Sequence, residues 1–231
     1  MENIEYDHTF KSKFFNIVIL VGDTSVGKTS ILARYHKGRF NDTTTPTVAL
    51  EFCAKVVRLK DGTRIKALLW DTAGQEKYRS LVTQHYRKAF GALLVYDLTR
   101  KETFTALQRF LYDLKKWSEP DCVVYLIGNK LDLIESGDFQ RAVPLEEVKQ
   151  YVNENKLRYL ETSAYSDYGI NDSFYYLLEG KFLILDVNQI KKTSVVKTDT
   201  IGQPIKINRD RKNHNSTITN TSTPTQDACP C

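Results

Sequence analysis

The residues best suited to chemistry lie between Gly22 and Thr29. Gly22-Asp23-Thr24-Ser25-Val26-Gly27-Lys28-Thr29 matches the pattern G-x-x-x-x-G-K-[ST]. Such a loop, set between a strand and a helix, turns backbone N–H groups and a helix N-terminus towards one anion. Gly22 and Gly27 let the main chain turn and approach phosphate closely. Lys28 would neutralise β- and γ-phosphates, and the Thr29 hydroxyl would face a Mg²⁺ ion; Ser30 is counted with the same phosphate-binding set.

Two further clusters follow. Trp70-Asp71-Thr72-Ala73-Gly74-Gln75-Glu76 begins at the end of an apolar run. A carboxylate at Asp71 suits a phosphate-bound Mg²⁺ that keeps some of its water. Gly74 could offer its N–H to a terminal phosphate, and Gln75 could orient an attacking water without titrating. An Asp ending a strand is more often a cap; its place some fifty residues after a phosphate loop gives it weight. Asn129-Lys130-Leu131-Asp132 follows the run Val123–Gly128. A carboxylate there can accept from both N1–H and the exocyclic amine of guanine, a pattern adenine does not present. Leaving that acceptor unpaired would carry a large penalty, so Asp132 would set base choice. The Lys130 stem could pack on the base, Asn129 could tie this segment to the phosphate loop, and Ser163-Ala164 could support the base through the Ala164 N–H.

These clusters need a scaffold, and the apolar pattern supplies one. Phe14–Val21, Ala49–Leu59, Arg64–Trp70, Ala92–Tyr96, Val123–Ile127 and Tyr159–Leu160 read as six short strands, with Asp61-Gly62 closing a hairpin between the second and third. Phe104, Leu107, Leu111 and Leu114 keep one helical face, as do Ile170, Phe174, Leu177, Leu178, Phe182 and Leu185. Another helix starts near Pro144 and runs to about Asn155. This alternation predicts an α/β fold: a mostly parallel six-stranded sheet with one antiparallel edge strand and helices on both faces. Ligands of such sheets sit at the carboxyl ends of the strands, where all three clusters fall.

The chain has 231 residues, 33 basic and 28 acidic, for a net charge of +5. Seven of the basic residues and three of the acidic ones lie from Val187 onward, so the body is nearly neutral, which argues against a nucleic-acid partner. No aromatic residue occurs after 186, and Ser, Thr and Asn crowd 213–225, so 187–231 reads as a disordered tail. Residues 1–9 form an acidic, polar extension unlike a secretory signal, and no apolar run reaches the roughly 18 residues that span a membrane. Cys53, Cys122, Cys229 and Cys231 suggest neither a disulfide framework nor a zinc site.

The three clusters, in this order over about residues 10–186, resemble the small GTPase superfamily, whose domain is the small G-protein version of the P-loop NTPase fold. The resemblance implies that Thr47 binds Mg²⁺ and senses the γ-phosphate, and that Phe40 packs edge-on against guanine. Within the superfamily the chain looks like a Rab: Val48-Ala49-Leu50-Glu51-Phe52, Lys77-Tyr78-Arg79-Ser80-Leu81 and His85-Tyr86-Arg87-Lys88-Ala89 are similar to Rab switch-region stretches. Cys229-Pro230-Cys231 matches a double prenylation signal. The chain departs from the Rab pattern at Ala49, Glu51, Lys77-Tyr78 and Tyr165, which stands at the rim of the base pocket where Lys is common.

The resemblance implies a GTP/GDP switch that hydrolyses GTP slowly, Gln75 being its catalytic residue and Mg²⁺ its cofactor. Residues 41–46 hold no Arg, so an activating protein would supply the missing charge. Implied partners are an exchange factor, an activating protein, a GDP-dissociation inhibitor and effectors. A monomer is expected, lipid-anchored on the cytosolic face of an intracellular membrane and serving vesicle traffic. Three alternatives remain: a P-loop kinase or ATPase, a GTP-bound scaffold with negligible turnover, and a small GTPase of another subfamily in signalling.

Overall fold

The computed structural model describes residues 16–40, 51–72 and 85–190. Six strands form one sheet: β1 (Asn16–Gly22), β2 (Glu51–Arg58), β3 (Arg64–Asp71), β4 (Ala89–Asp97), β5 (Val123–Asn129) and β6 (Arg158–Glu161). Their order is β2-β3-β1-β4-β5-β6. Only β2 runs antiparallel, at the edge beside β3; every other neighbouring pair is parallel. The expected sheet is therefore present. The hairpin closes where Asp61-Gly62 predicts it: the Asp61 carboxylate accepts from both the N–H and the hydroxyl of Thr63, and Gly62 takes φ +88°.

Alternation along the strands divides the core in two. Val18, Leu20, Leu93, Val95, Tyr125 and Ile127 face one layer, completed by α1 (Lys28–Lys37) and α6 (Ile170–Ile190) through Ile31, Tyr35, Phe174 and Leu177. Ile19, Val21, Ala92, Leu94, Tyr96 and Leu126 face the other. That layer is completed by α2 (Lys101–Thr105), α3 (Leu107–Trp117) and α5 (Leu145–Asn155) through Phe104, Leu107, Leu114, Val148 and Val152. Successive strand residues point to opposite faces, so the near-continuous apolar runs feed both layers.

Three features of the helices differ from expectation. The helical stretch around Phe104–Leu114 is two helices, with Ala106 both ending α2 and opening α3. A short helix, α4 (Leu131–Glu135), follows the Asn129 segment. Helix α6 continues through Ile190, past the expected domain end at 186, because Val187-Asn188-Gln189-Ile190 contains no Gly or Pro to stop it. No helix among the described residues is long and apolar enough to cross a membrane.

Candidate functional site

The parallel strands all end on one edge of the sheet, where β3, β4, β5 and β6 finish in Asp71, Asp97, Asn129 and Glu161. Gly22 closes β1 and starts the phosphate loop, beside β3 on one side and β4 on the other. This is the point where chain connections diverge from a central strand, the usual crevice for ligands in such sheets.

The loop is shaped by its glycines. Gly22 has φ +150°, and a Cβ there would lie 2.1 Å from the Val95 carbonyl oxygen. Gly27 has φ +96°, and a Cβ would come within 2.3 Å of Asn129 Nδ2. Any side chain at either position collides with the neighbouring strand ends. Gly27 then opens α1, its carbonyl accepting from the Ile31 N–H at 2.8 Å. Lys28, only 6% exposed, folds back over the loop and donates to the carbonyls of Gly22 (3.0 Å) and Asp23 (2.6 Å). Burial pulls its pKa down to about 8, although the negative charges of Asp71 and Asp23 act the other way.

At the mouth of the loop the Thr29 hydroxyl donates to Asp71 Oδ2 at 2.5 Å. Asp71 is fully buried at the end of β3, and Thr72 beside it donates to the Leu20 carbonyl at 2.6 Å. A hydroxyl and a carboxylate brought together here are hard oxygen donors, the kind Mg²⁺ takes. No group of three or more His, Cys, Asp or Glu side chains gathers among the described residues.

The Asn129 segment reaches the same crevice. Asn129 Nδ2 donates to the Val26 carbonyl at 2.9 Å, and Asn129 Oδ1 accepts from the Thr162 hydroxyl (3.1 Å) and the Ala164 N–H (3.3 Å). One buried amide thus joins the phosphate loop, β5 and the loop after β6. Asp132 Oδ1 accepts from the Ser163 hydroxyl at 2.5 Å, and Ser163 also pairs through its backbone with Tyr168. Phe40 meets Tyr165 edge-on, ring centroids 5.4 Å apart, so the expected aromatic and the unusual Tyr share one rim. Arg34 of α1 fastens that rim, donating to the carbonyls of Ala164 (2.8 Å), Tyr165 (2.8 Å) and Gly38 (3.0 Å).

The structure therefore brings together Gly22 to Ser30, Asp71, Asn129, Lys130, Asp132, Ser163, Ala164, Tyr165 and Phe40. Thr47, Gly74, Gln75, Cys229 and Cys231 lie outside the described residues, as do residues 1–9, 191–231 and the second-switch stretch 77–81. Four site neighbours have no motif to announce them. Asp97, Arg100, Arg109 and Arg34 all contact the phosphate or base loop, Arg109 through Asp23 Oδ1 at 3.3 Å. Burial would raise the Asp97 carboxyl, but hydrogen bonds from Lys130 and Thr99 outweigh it and hold the pKa below its ordinary value.

Comparison with known proteins agrees with this geometry. Residues 17–181 match the sequence pattern of the Ras family. The Ras-related protein RABA1b of Arabidopsis thaliana is 40% identical over 187 residues, 81% of this chain and 82% of its own length. Rab11E of Lotus japonicus is 38% identical over 211 residues, 89% and 91% of the two chains. The GTP-binding protein ypt3 of Schizosaccharomyces pombe is 36% identical over 203 residues, 88% and 90%. The chain belongs to the Ras family, in its Rab branch. As a Rab-type small GTPase it binds GTP and GDP and hydrolyses GTP. Members of this family use Mg²⁺ with the nucleotide, act through regulators and effectors and associate with membranes. Vesicle trafficking is the typical work of Rab proteins.

Proposed function

We propose that residues 10–186 form the GTPase domain and that this Rab holds its nucleotide across the crevice just described. Gly22 to Ser30 would cradle the phosphates, with Lys28 neutralising their charge. Thr29 and Asp71, joined by Thr47, would hold Mg²⁺. When bound, that ion supplies charge neutralisation at the phosphoryl oxygens. Asn129, Lys130, Asp132, Ser163, Ala164, Tyr165 and Phe40 would hold guanine, with Asp132 accepting its two N–H donors. Gln75 would orient the attacking water, and Gly74 would offer its N–H to the γ-phosphate.

The observation that carries this reading is the Asn129 side chain. Its bonds to Val26, Thr162 and Ala164 make the anion cradle and the base loop parts of one site. An adenine-specific P-loop kinase or ATPase has no use for a carboxylate that accepts from N1–H and the exocyclic amine of a purine. The purified full-length protein should therefore take up GDP at micromolar concentration or tighter when Mg²⁺ is present, with ATP a poor competitor. Displacement of GDP by equimolar ATP would overturn the assignment of Asp132.

Switching follows from two tethers on the γ-phosphate, Thr47 through the metal and Gly74 through its N–H, both released by hydrolysis. Turnover without a partner should stay well below about one per second, because 41–46 supply no Arg in cis and an arginine finger contributes roughly 10³- to 10⁵-fold. The exchange factor, activating protein, GDP-dissociation inhibitor and effectors would read the switch segments of a monomeric domain.

The tail, ending in Cys229-Pro230-Cys231, would carry two prenyl groups and hold the protein on the cytosolic face of an intracellular membrane. Two chains anchor stably where one is marginal, since each buried CH₂ contributes about 0.8 kcal/mol. Mass spectrometry of the C-terminal peptide from a eukaryotic host should find both thiols alkylated; unmodified thiols would remove the anchor.

A further inference from the structure

We propose that Asp97 and Arg100 are positioning residues that lock the phosphate loop and the base loop into one preorganised site. The proposal rests on the reading that Gly22–Thr29 receives nucleotide phosphate.

The starting point is what an anion cradle must prevent. A loop presents N–H groups to phosphate only if its peptide units do not flip, because a flip replaces a donor with a carbonyl oxygen. Pinning the carbonyls blocks the flip. In this loop the Gly22 and Asp23 carbonyls accept from Lys28 Nζ, the Val26 carbonyl from Asn129 and the Gly27 carbonyl from Ile31. Between them stands Thr24, and its carbonyl accepts from the Arg100 guanidinium at 3.2 Å.

The Thr24–Ser25 unit is the one that most needs holding. Ser25 has φ +59°, the left-handed region that L-residues other than Gly disfavour. The chain has no cis peptide among its described residues, and in a trans peptide the C=O and the following N–H point in opposite directions. Fixing the Thr24 oxygen on Arg100 therefore turns the Ser25 N–H away from Arg100.

Arg100 is itself held. Asp97, with a side chain 1% exposed at the end of β4, accepts from Arg100 Nε at 3.0 Å through Oδ2. The same oxygen accepts from Lys130 Nζ at 2.7 Å, while Oδ1 accepts from the N–H and hydroxyl of Thr99. Lys130 belongs to the base loop and sits at φ +69°. A single carboxylate oxygen thus links the cation that orients the phosphate loop to the cation expected beside the base. Loss of either partner loosens one end of the site; loss of the carboxylate loosens both.

This asymmetry gives the test. GDP and guanosine binding are measured on full-length wild type, Arg100→Ala and Asp97→Asn, guanosine by saturation-transfer NMR. Arg100 is partly exposed, so its replacement leaves the core intact. Arg100→Ala should weaken GDP about tenfold, the effect of one charge-assisted hydrogen bond, while guanosine, which carries no phosphate, stays within about twofold. Asp97→Asn should weaken both ligands. Unchanged GDP affinity in Arg100→Ala, or equal losses for GDP and guanosine in that variant, would overturn the proposal. Failure of the wild type itself to bind GDP would instead overturn the nucleotide reading, and this inference with it.

Discussion

Lys28 is a buried ammonium whose counter-charge is a ligand. Burial holds its pKa at about 8, against an ordinary 10.5. Between those values the unfolded chain binds more protons than the folded one. The nucleotide-free protein should therefore gain stability as pH rises from about 8 towards 10.5. A polyphosphate in the cradle reverses the effect: it favours the ammonium and raises the pKa. Binding must then take up a proton wherever the free side chain is neutral, and affinity must fall as pH climbs above 8. At pH 8.5 calorimetry in two buffers of different ionisation enthalpy should report net proton uptake on GDP binding. Zero uptake would mean that Lys28 does not meet the phosphates. Neighbouring glycines act at the same scale. Because a Cβ at position 27 would press on Asn129 Nδ2, one methyl there disturbs the cradle and the Asn129 tie together.

Helix α6 shows how the elements hold the crevice in place from a distance. Phe174, Leu177 and Leu178 are fully buried against the sheet, and Phe174 stacks on Tyr35 of α1 with centroids 4.0 Å apart. The helix lies close because β4 has Gly91 beneath it: a Cβ there would be 2.5 Å from Leu177 Cδ2 and 3.2 Å from the Val123 carbonyl oxygen. Gly91→Ala should destabilise the domain by about 1–3 kcal/mol through overpacking. Urea unfolding would show a lower midpoint with an unchanged slope. Adding Leu177→Ala should make the Gly91→Ala penalty smaller than in the wild-type background; additive losses would mean that the contact does not decide the packing. Helix α6 and all six strands could be read from apolar period and the Asp61-Gly62 turn, because each is a local pattern. The break at Ala106 could not, since Phe104, Leu107, Leu111 and Leu114 keep helical spacing across it. Asn129, Lys130 and Asp132 were legible because their chemistry comes in one short segment. Asp97, Arg100 and Arg34 were not: beside their local bonds, the partners that tie them to the site lie on other strands and loops, and the order β1-β4-β5-β6 brings them together.

At the scale of the whole molecule, a bound nucleotide would add a further tie between strand ends already paired through the backbone. The phosphate loop leaves β1, Asp71 ends β3, Asp97 ends β4 and the base loop follows β5 and β6. A ligand that binds the native state alone stabilises it by RT ln(1 + [L]/Kd), about 4.1 kcal/mol at a thousandfold excess over Kd. The metal would act on only one end of that ligand, through Thr29 and Asp71. Chelation with EDTA should therefore speed GDP release and lower the melting temperature, leaving the grip on guanine in place, and added Mg²⁺ should reverse both changes. Thr29→Asn, which removes the hydroxyl now paired with Asp71, should release GDP quickly from the start and respond little to EDTA. Two perturbations of one contact do not add. If EDTA accelerated GDP release from Thr29→Asn by the same factor as from the wild type, the ion would have to sit away from the Thr29–Asp71 pair, and the β1–β3 side of the crevice would lose its assigned role.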